Sequence, residues 1–160
     1  MENTVFKRAL VSGAASSIVS TVAMALVAKK ETGSPFAATN AVSHYVHGEK
    51  ASYRDRFSLR YTVPGFLIHH ASATFWSLVF ERVMGGVLDQ KNPAGILASA
   101  AATSAFAAFT DHKLTPRPLQ PGYQKRLSNK SLGVVYASFA IGMALGAIVL
   151  RRNQAPADKT

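Results

Sequence analysis

The chain has 160 residues, with 18 Lys and Arg against 8 Asp and Glu, a formal charge of +10 and no cysteine. The missing cysteines exclude a disulfide framework, a thiolate metal site and a thiol nucleophile. Charged residues make up only 16% and stand in blocks between charge-free runs, so the basic charge flanks apolar segments rather than forming the aromatic-interleaved stripe of a nucleic-acid binder.

The first run, Ala9–Ala28, carries no charge and lies between Lys7-Arg8 and Lys29-Lys30. About twenty helical residues cross a hydrocarbon core of about 30 Å. A secretory signal has similar flanks, but its apolar stretch is shorter, about 7–15 residues. The expectation is a retained helix over 9–28.

In the connection that follows, Ser34-Pro35 reads as a helix start and Gly48 as a stop. Ala38, Ala41, Val42, Tyr45 and Val46 share one helical face, and Asn40, Ser43, His44 and His47 share the other. This predicts a short amphipathic interfacial helix over 35–47. Arg54, Arg56 and Arg60 come next, a basic group suited to anionic lipid heads.

The second span is expected over 63–82, with Pro64 in its first turn. His69 falls in step with Phe66, Ala73, Trp76 and Phe80, which assigns it to packing or to the headgroup zone. His70, Thr74, Ser77 and Glu81 form a polar stripe, which gives His70 the inward role. Glu81 and Arg82 are expected to pair locally or to snorkel.

The third span, 93–110, is rich in alanine and interrupted by Ser99, Thr103 and Ser104. A helix so weakly apolar suits the inside of a bundle better than a lipid-facing position. In the next loop, Pro116, Pro118 and Pro121-Gly122 predict an extended path and a turn, with Ser128 or Asn129 capping the last helix. The fourth span, 131–150, ends at Arg151-Arg152, and 153–160 read as a disordered polar tail.

Backbone polar groups in lipid must be satisfied within each segment, and the runs lack the alternation of barrel strands. The fold class is therefore all-α: one domain over 1–152, an integral membrane bundle of four transmembrane helices. With four crossings the termini share a side. The two long loops carry 11 basic residues against 7 elsewhere, which places those loops in the cytoplasm.

Several groupings bear on function. Ser138, Gly142 and Gly146 recur every four residues and include a GxxxG, and Gly13 and Ser17 begin a similar stripe in the first helix. Such faces let helix backbones approach, within this bundle or against another copy or subunit. His44, His47, His70 and His112 gather with Asp111 on one membrane side. That donor set suits zinc, iron or copper, and two imidazoles could ligate haem. The spacing matches no strong metal motif, however, so the default expectation is no cofactor.

No nucleophile elbow, P-loop or dinucleotide fingerprint is present. Glu81 and Asp111 fall at opposite ends of the bundle, which argues against paired-carboxylate chemistry.

The segments SPFAATNAVSHYVHGEKA (Ser34–Ala51) and DHKLTPRPLQPGYQKRLSNKSLGVVYASFAIGMALG (Asp111–Gly146) resemble an uncharacterised family of small four-helix inner-membrane proteins of proteobacteria. The resemblance implies a bacterial inner membrane and supplies no catalytic residues. The leading expectation is a non-enzymatic accessory or structural subunit that packs with itself or a larger membrane complex. The alternatives are a metal- or haem-binding membrane protein and a lipid-handling or small-solute protein. The bilayer is a partner in every case, and nucleic acid in none.

Overall fold

A computed structural model describes residues 2–152, so the tail predicted over 153–160 lies outside the described residues. All regular structure there is helical. In chain order it comprises α1 (Glu2–Thr32), α2 (Ala37–Val42), α3 (His44–His47), α4 (Thr62–Val83), α5 (Gly85–Leu88), α6 (Pro93–Phe109) and α7 (Asn129–Arg152). Three stretches, Thr4–Thr32, Pro93–Leu114 and Asn129–Arg152, are long and apolar enough to cross a membrane.

The helix ends follow local chemistry. α1 runs past its apolar core at both ends and carries Lys29 and Lys30 in its last turn, where cations suit the helix dipole. It stops at Gly33, whose φ of 80° is the left-handed cap conformation, with its N–H bonded to Lys29 O at 3.1 Å. Asn92 caps α6 by accepting from the Ala94 N–H at 3.1 Å, with Pro93 at the first position. At the start of α7, the Glu31 carboxylate accepts from the Ser128 N–H at 2.7 Å, the Ser128 hydroxyl at 2.6 Å and the Ser131 hydroxyl at 2.5 Å. An anion from the end of α1 thus sits on the N-terminus of α7.

Successive long helices run antiparallel. α1 packs along both α7 and α4, while α6 rests mainly on α7. The α1–α7 contact is close because α7 offers glycine: a Cβ on Gly142 would lie 2.6 Å from Ser16 Cα, and one on Gly146 2.7 Å from Ser12 Cα. Gly13 does the same for α4, where a Cβ would lie 2.7 Å from Thr74 Cα.

This arrangement corrects the expectation for the alanine-rich helix. The glycine-lined pair α1–α7 takes the centre and leaves α6 at the side, with Ala94, Ala98, Ala101, Ala102 and Ala105 exposed. Apolar side chains also face outward on the other long helices, among them Ile18, Leu26, Leu67, Phe75, Ile141 and Val149. Buried between them are Ser12, Ser16, Ser17, Ser20, Ser77, Glu81 and Arg151. They share the interior with apolar residues such as Met24, Phe80, Ile96 and Met143; an apolar exterior with hydroxyl and charged groups placed inside is the ordering expected of a helical protein in lipid.

The segment expected as one amphipathic helix over 35–47 is instead two short pieces broken at Ser43, and α2 is buried on both of its faces. Ala38, Ala41 and Val42 are buried as expected, but so are Asn40, Ser43 and His44, whereas Tyr45 and Val46 are exposed. The burial of the polar face follows from what Asn40 does. Its Nδ2 donates to Arg54 O at 2.9 Å and Arg56 O at 3.0 Å, and its Oδ1 accepts from Thr62 Oγ1 at 2.7 Å. A buried amide that ties down its own loop is worth more inside than out. Asn40→Ala should therefore cost about 1–3 kcal/mol and raise tryptic cleavage after Arg54, Arg56 and Arg60. An unchanged cleavage rate would mean that the loop is held by other contacts.

Candidate functional site

The predicted histidine set does not converge. His44 is buried, with Nδ1 3.0 Å from Ala41 O and Nε2 3.3 Å from Pro118 O, so both nitrogens face carbonyls. His47 stands edge-on to Tyr61, with ring centroids 5.1 Å apart. His70 stacks on Phe66 at 5.9 Å, and its buried Nδ1 has no hydrogen-bond partner. Of the adjacent pair, His69 is buried in packing, with Nε2 2.8 Å from Ser20 Oγ of α1, and His70, expected to take the inward role, is only half-buried. Among the described residues, no three His, Asp or Glu side chains form a group that could hold a metal ion.

Two of the predicted residues, Asp111 and His112, do belong to a site, assembled with partners that sequence reasoning did not single out. After Phe109 the α6 ladder widens into one π-turn over Thr110–Leu114, closed by the Thr115 N–H bonding to Thr110 O at 2.8 Å. Such turns often accompany functional sites because the extra residue re-aims side chains. Here Tyr136 of α7 donates to Asp111 Oδ2 at 2.7 Å, and the Tyr123 hydroxyl meets the Tyr136 hydroxyl at 2.7 Å. With the Tyr136 proton committed to Asp111, Tyr123 is the donor of that second bond. His112 Nε2 lies 3.3 Å from the same Tyr136 oxygen.

Beside this network is a cavity of about 80 Å³. α4 supplies Ser72 and Trp76, the π-turn after α6 supplies Asp111, and α7 supplies Tyr136 and Phe139, while Tyr45 and Tyr123 close it from the two loops. It opens where α4 and α6 meet only briefly, and two lining residues, Tyr45 and Ser72, are exposed, so it reaches the surface. Burial pushes the Tyr45 and Tyr123 phenols above the usual tyrosine value, and the nearby Asp111 adds to both shifts. Both therefore act as neutral hydroxyls. Asp111 Oδ1 has no hydrogen bond among the described residues, and no Lys or Arg pairs with this carboxylate.

The loops that roof the cavity are locked together. Lys125 Nζ bonds Glu49 Oε2 at 2.5 Å, Arg126 pairs with Asp55, and the Tyr45 hydroxyl donates to Leu119 O at 2.7 Å. Gly122, with φ 91°, passes so close that a Cβ there would lie 2.5 Å from Ala41 O. Arg54, Arg56 and Arg60 are exposed on the same side. The Arg54 and Arg60 guanidiniums lie 5.6 and 5.7 Å from the Tyr61 ring, next to exposed Tyr53, Phe57 and Leu59.

The opposite end holds a second charged group, and it corrects the local pairing expected of Glu81 with Arg82. Arg82 is exposed; Glu81 is buried and pairs with Arg151, Nη2 to Oε2 at 2.9 Å and Nη1 to Oε1 at 3.3 Å. Ser12 Oγ donates to Glu81 Oε1 at 3.0 Å, and Arg151 Nε and Arg8 Nη1 each reach Asp89 Oδ1 at 3.1 Å. All three guanidinium nitrogens of Arg151 are used, and both Glu81 oxygens accept from it. With its central pair satisfied in this way, the group is a clamp rather than a place for a ligand.

Of the predicted packing residues, Gly13, Gly142 and Gly146 face neighbouring helices, Ser17 is buried and Ser138 is half-buried. No protein family, curated protein or solved structure matches the chain. The functional reading therefore rests on the geometry of the site.

Proposed function

We propose that this chain is an integral membrane protein of four crossings in a bacterial inner membrane, with its long loops cytoplasmic. In this reading it holds a small polar solute or lipid headgroup in the Asp111 cavity. The observation that carries the reading is a carboxylate fixed on one oxygen by Tyr136, with no hydrogen bond to the other among the described residues, beside a cavity open to the surface. An ionisable group within a membrane span is costly and marks a functional site by default.

The fourth crossing is supported by α4, which runs from the level of Ser20 at His69 to that of Ser12 at Glu81 and turns Leu67 and Phe75 outward. The interfacial role predicted for 35–47 passes to the exposed neighbours of that segment. Tyr53, Phe57 and Leu59 beside Arg54, Arg56 and Arg60 form an aromatic and basic collar for anionic headgroups. A second reading, assembly with another copy or a larger complex, is favoured by the exposed alanine face of α6. It moves the proposed contact away from the glycines of α7, which are spent inside.

Native mass spectrometry after extraction in mild detergent tests the first reading. The wild-type protein should carry a bound molecule, and Ser72→Phe, which fills the cavity from its exposed rim, should expel it. Equal occupancy in both proteins would place the ligand elsewhere.

A further inference from the structure

We infer that the Asp111 cavity selects an organic ammonium group, either the amine head of a lipid or a free alkylamine. This rests on the cavity being the binding site and adds the class of its ligand. The first argument is charge. Asp111 is half-buried, and among the described residues it is hydrogen-bonded only by a phenol and no Lys or Arg lines the cavity or pairs with it. Buried charges are ordinarily paired, and here the group beside the carboxylate that can carry a positive charge is the His112 imidazole, whose Nε2 meets the Tyr136 oxygen rather than the carboxylate. The +10 net charge makes the lack of a Lys or Arg partner more telling, since none of the described Lys and Arg residues is placed there.

The second argument is the wall. Tyr45, Trp76, Tyr123, Tyr136 and Phe139 all line the cavity, five of the chain's 15 aromatic side chains. Aromatic faces attract cations whose charge is spread over alkyl groups, and walls of this kind recognise choline-like groups elsewhere. A bare metal ion would need a shell of six or more oxygens for calcium, or a set of imidazole and carboxylate ligands for a transition metal. The cavity offers one carboxylate, a few hydroxyls and the single imidazole of His69, which is already bonded to Ser20. An anion would meet Asp111 with nothing to offset it.

The third argument is size. One water needs about 10–15 Å³ on this measure of volume, so about 80 Å³ admits a group of a few heavy atoms. A substituted ammonium head fits, with its chain leaving past Ser72.

Trp76 is the only tryptophan and lines the cavity, so its emission reports occupancy directly. The experiment titrates full-length protein in maltoside micelles with choline, tetramethylammonium and ethylammonium chlorides. The comparison probes are 3,3-dimethylbutan-1-ol, the uncharged isostere of choline, and sodium acetate. The ammonium probes should shift the emission saturably, and the uncharged isostere should bind at least tenfold more weakly. Asp111→Asn keeps an acceptor for Tyr136; it should weaken the ammonium probes at least tenfold and leave the isostere unchanged.

Equal binding of choline and its isostere, or equal choline binding by Asp111→Asn, overturns the ammonium assignment and leaves the cavity reading intact. If no probe of any charge moves Trp76 and Ser72→Phe leaves occupancy unaltered, the cavity reading itself falls. Nanodiscs distinguish the two sources. If the head belongs to a lipid, discs containing phosphatidylethanolamine should raise the apparent Kd of choline above that in discs of phosphatidylglycerol alone. Equal Kd values assign the site to a free amine.

Discussion

Arg151→Ala should destabilise the protein by about 3–5 kcal/mol, the cost of stranding a buried charge. The side chains of Arg151 and Glu81 are 2% and 1% exposed, so neither can turn to water when its partner is lost. Glu81 would keep only the Ser12 hydroxyl, while Asp89 would retain Arg8 and its own access to solvent. Asp89→Ala should cost less, about 1–3 kcal/mol, because it leaves the buried Arg151 Nε without its acceptor but keeps the Arg151–Glu81 pair. Replacing Glu81 and Arg151 together with leucine should recover most of the lost stability, because removing both charges removes both desolvation costs. Unfolding in mixed micelles, followed by Trp76 emission, measures all three variants. If Arg151→Ala unfolds at the wild-type denaturant concentration, water reaches Glu81 and the clamp is not one.

That clamp shows where reading the sequence stops. Arg151-Arg152 after an apolar run looks like an ordinary basic flank, and one of the two is just that: Arg152 is exposed. Only the relative levels of α1, α4 and α7 reveal that Arg151 meets Glu81, 70 positions away, and no local pattern encodes those levels. The start of α7 was legible because capping is local, as at Ser128, whereas α1 runs on from its expected 9–28 to Glu2 and Thr32. Depth and rotation were not legible.

On α4 the grouping of His69 with Ala73, Trp76 and Phe80 was sound. The helix is wedged between neighbours on both sides, however, so that stripe and the one through Ser77 and Glu81 both face inward. Asp111 and His112 were singled out as ionisable residues at a span's end. Tyr123 and Tyr136, which complete the site, passed unmarked because a tyrosine near a membrane boundary is usual. Tyr136, an amphipathic ring near the start of a long apolar run, was the available signal.

Gly142→Leu should prevent native packing, and Gly142→Ala alone should cost about 1–3 kcal/mol. The reason is what stands opposite. A Cβ at 142 would lie 2.6 Å from Ser16 Cα and 2.7 Å from Ala15 O, against about 3.5–4.0 Å for atoms at optimal contact. Both obstacles are backbone, so no rotamer change makes room and the helices must separate. Separation loosens contacts along the whole α1–α7 seam, including Gly146 on Ser12 and Glu31 at the start of α7. Gly133→Ala is the control in the same helix: nothing lies within 4 Å of its Cβ, and the change should be neutral or stabilising by up to about 1 kcal/mol. Stability and oligomeric state need to be measured on the same samples. With Gly142 buried on α1, any loss of assembly in Gly142→Ala should come together with lost stability. Assembly lost at wild-type stability would show instead that the glycine face meets another chain, and the central α1–α7 pairing would have to be abandoned.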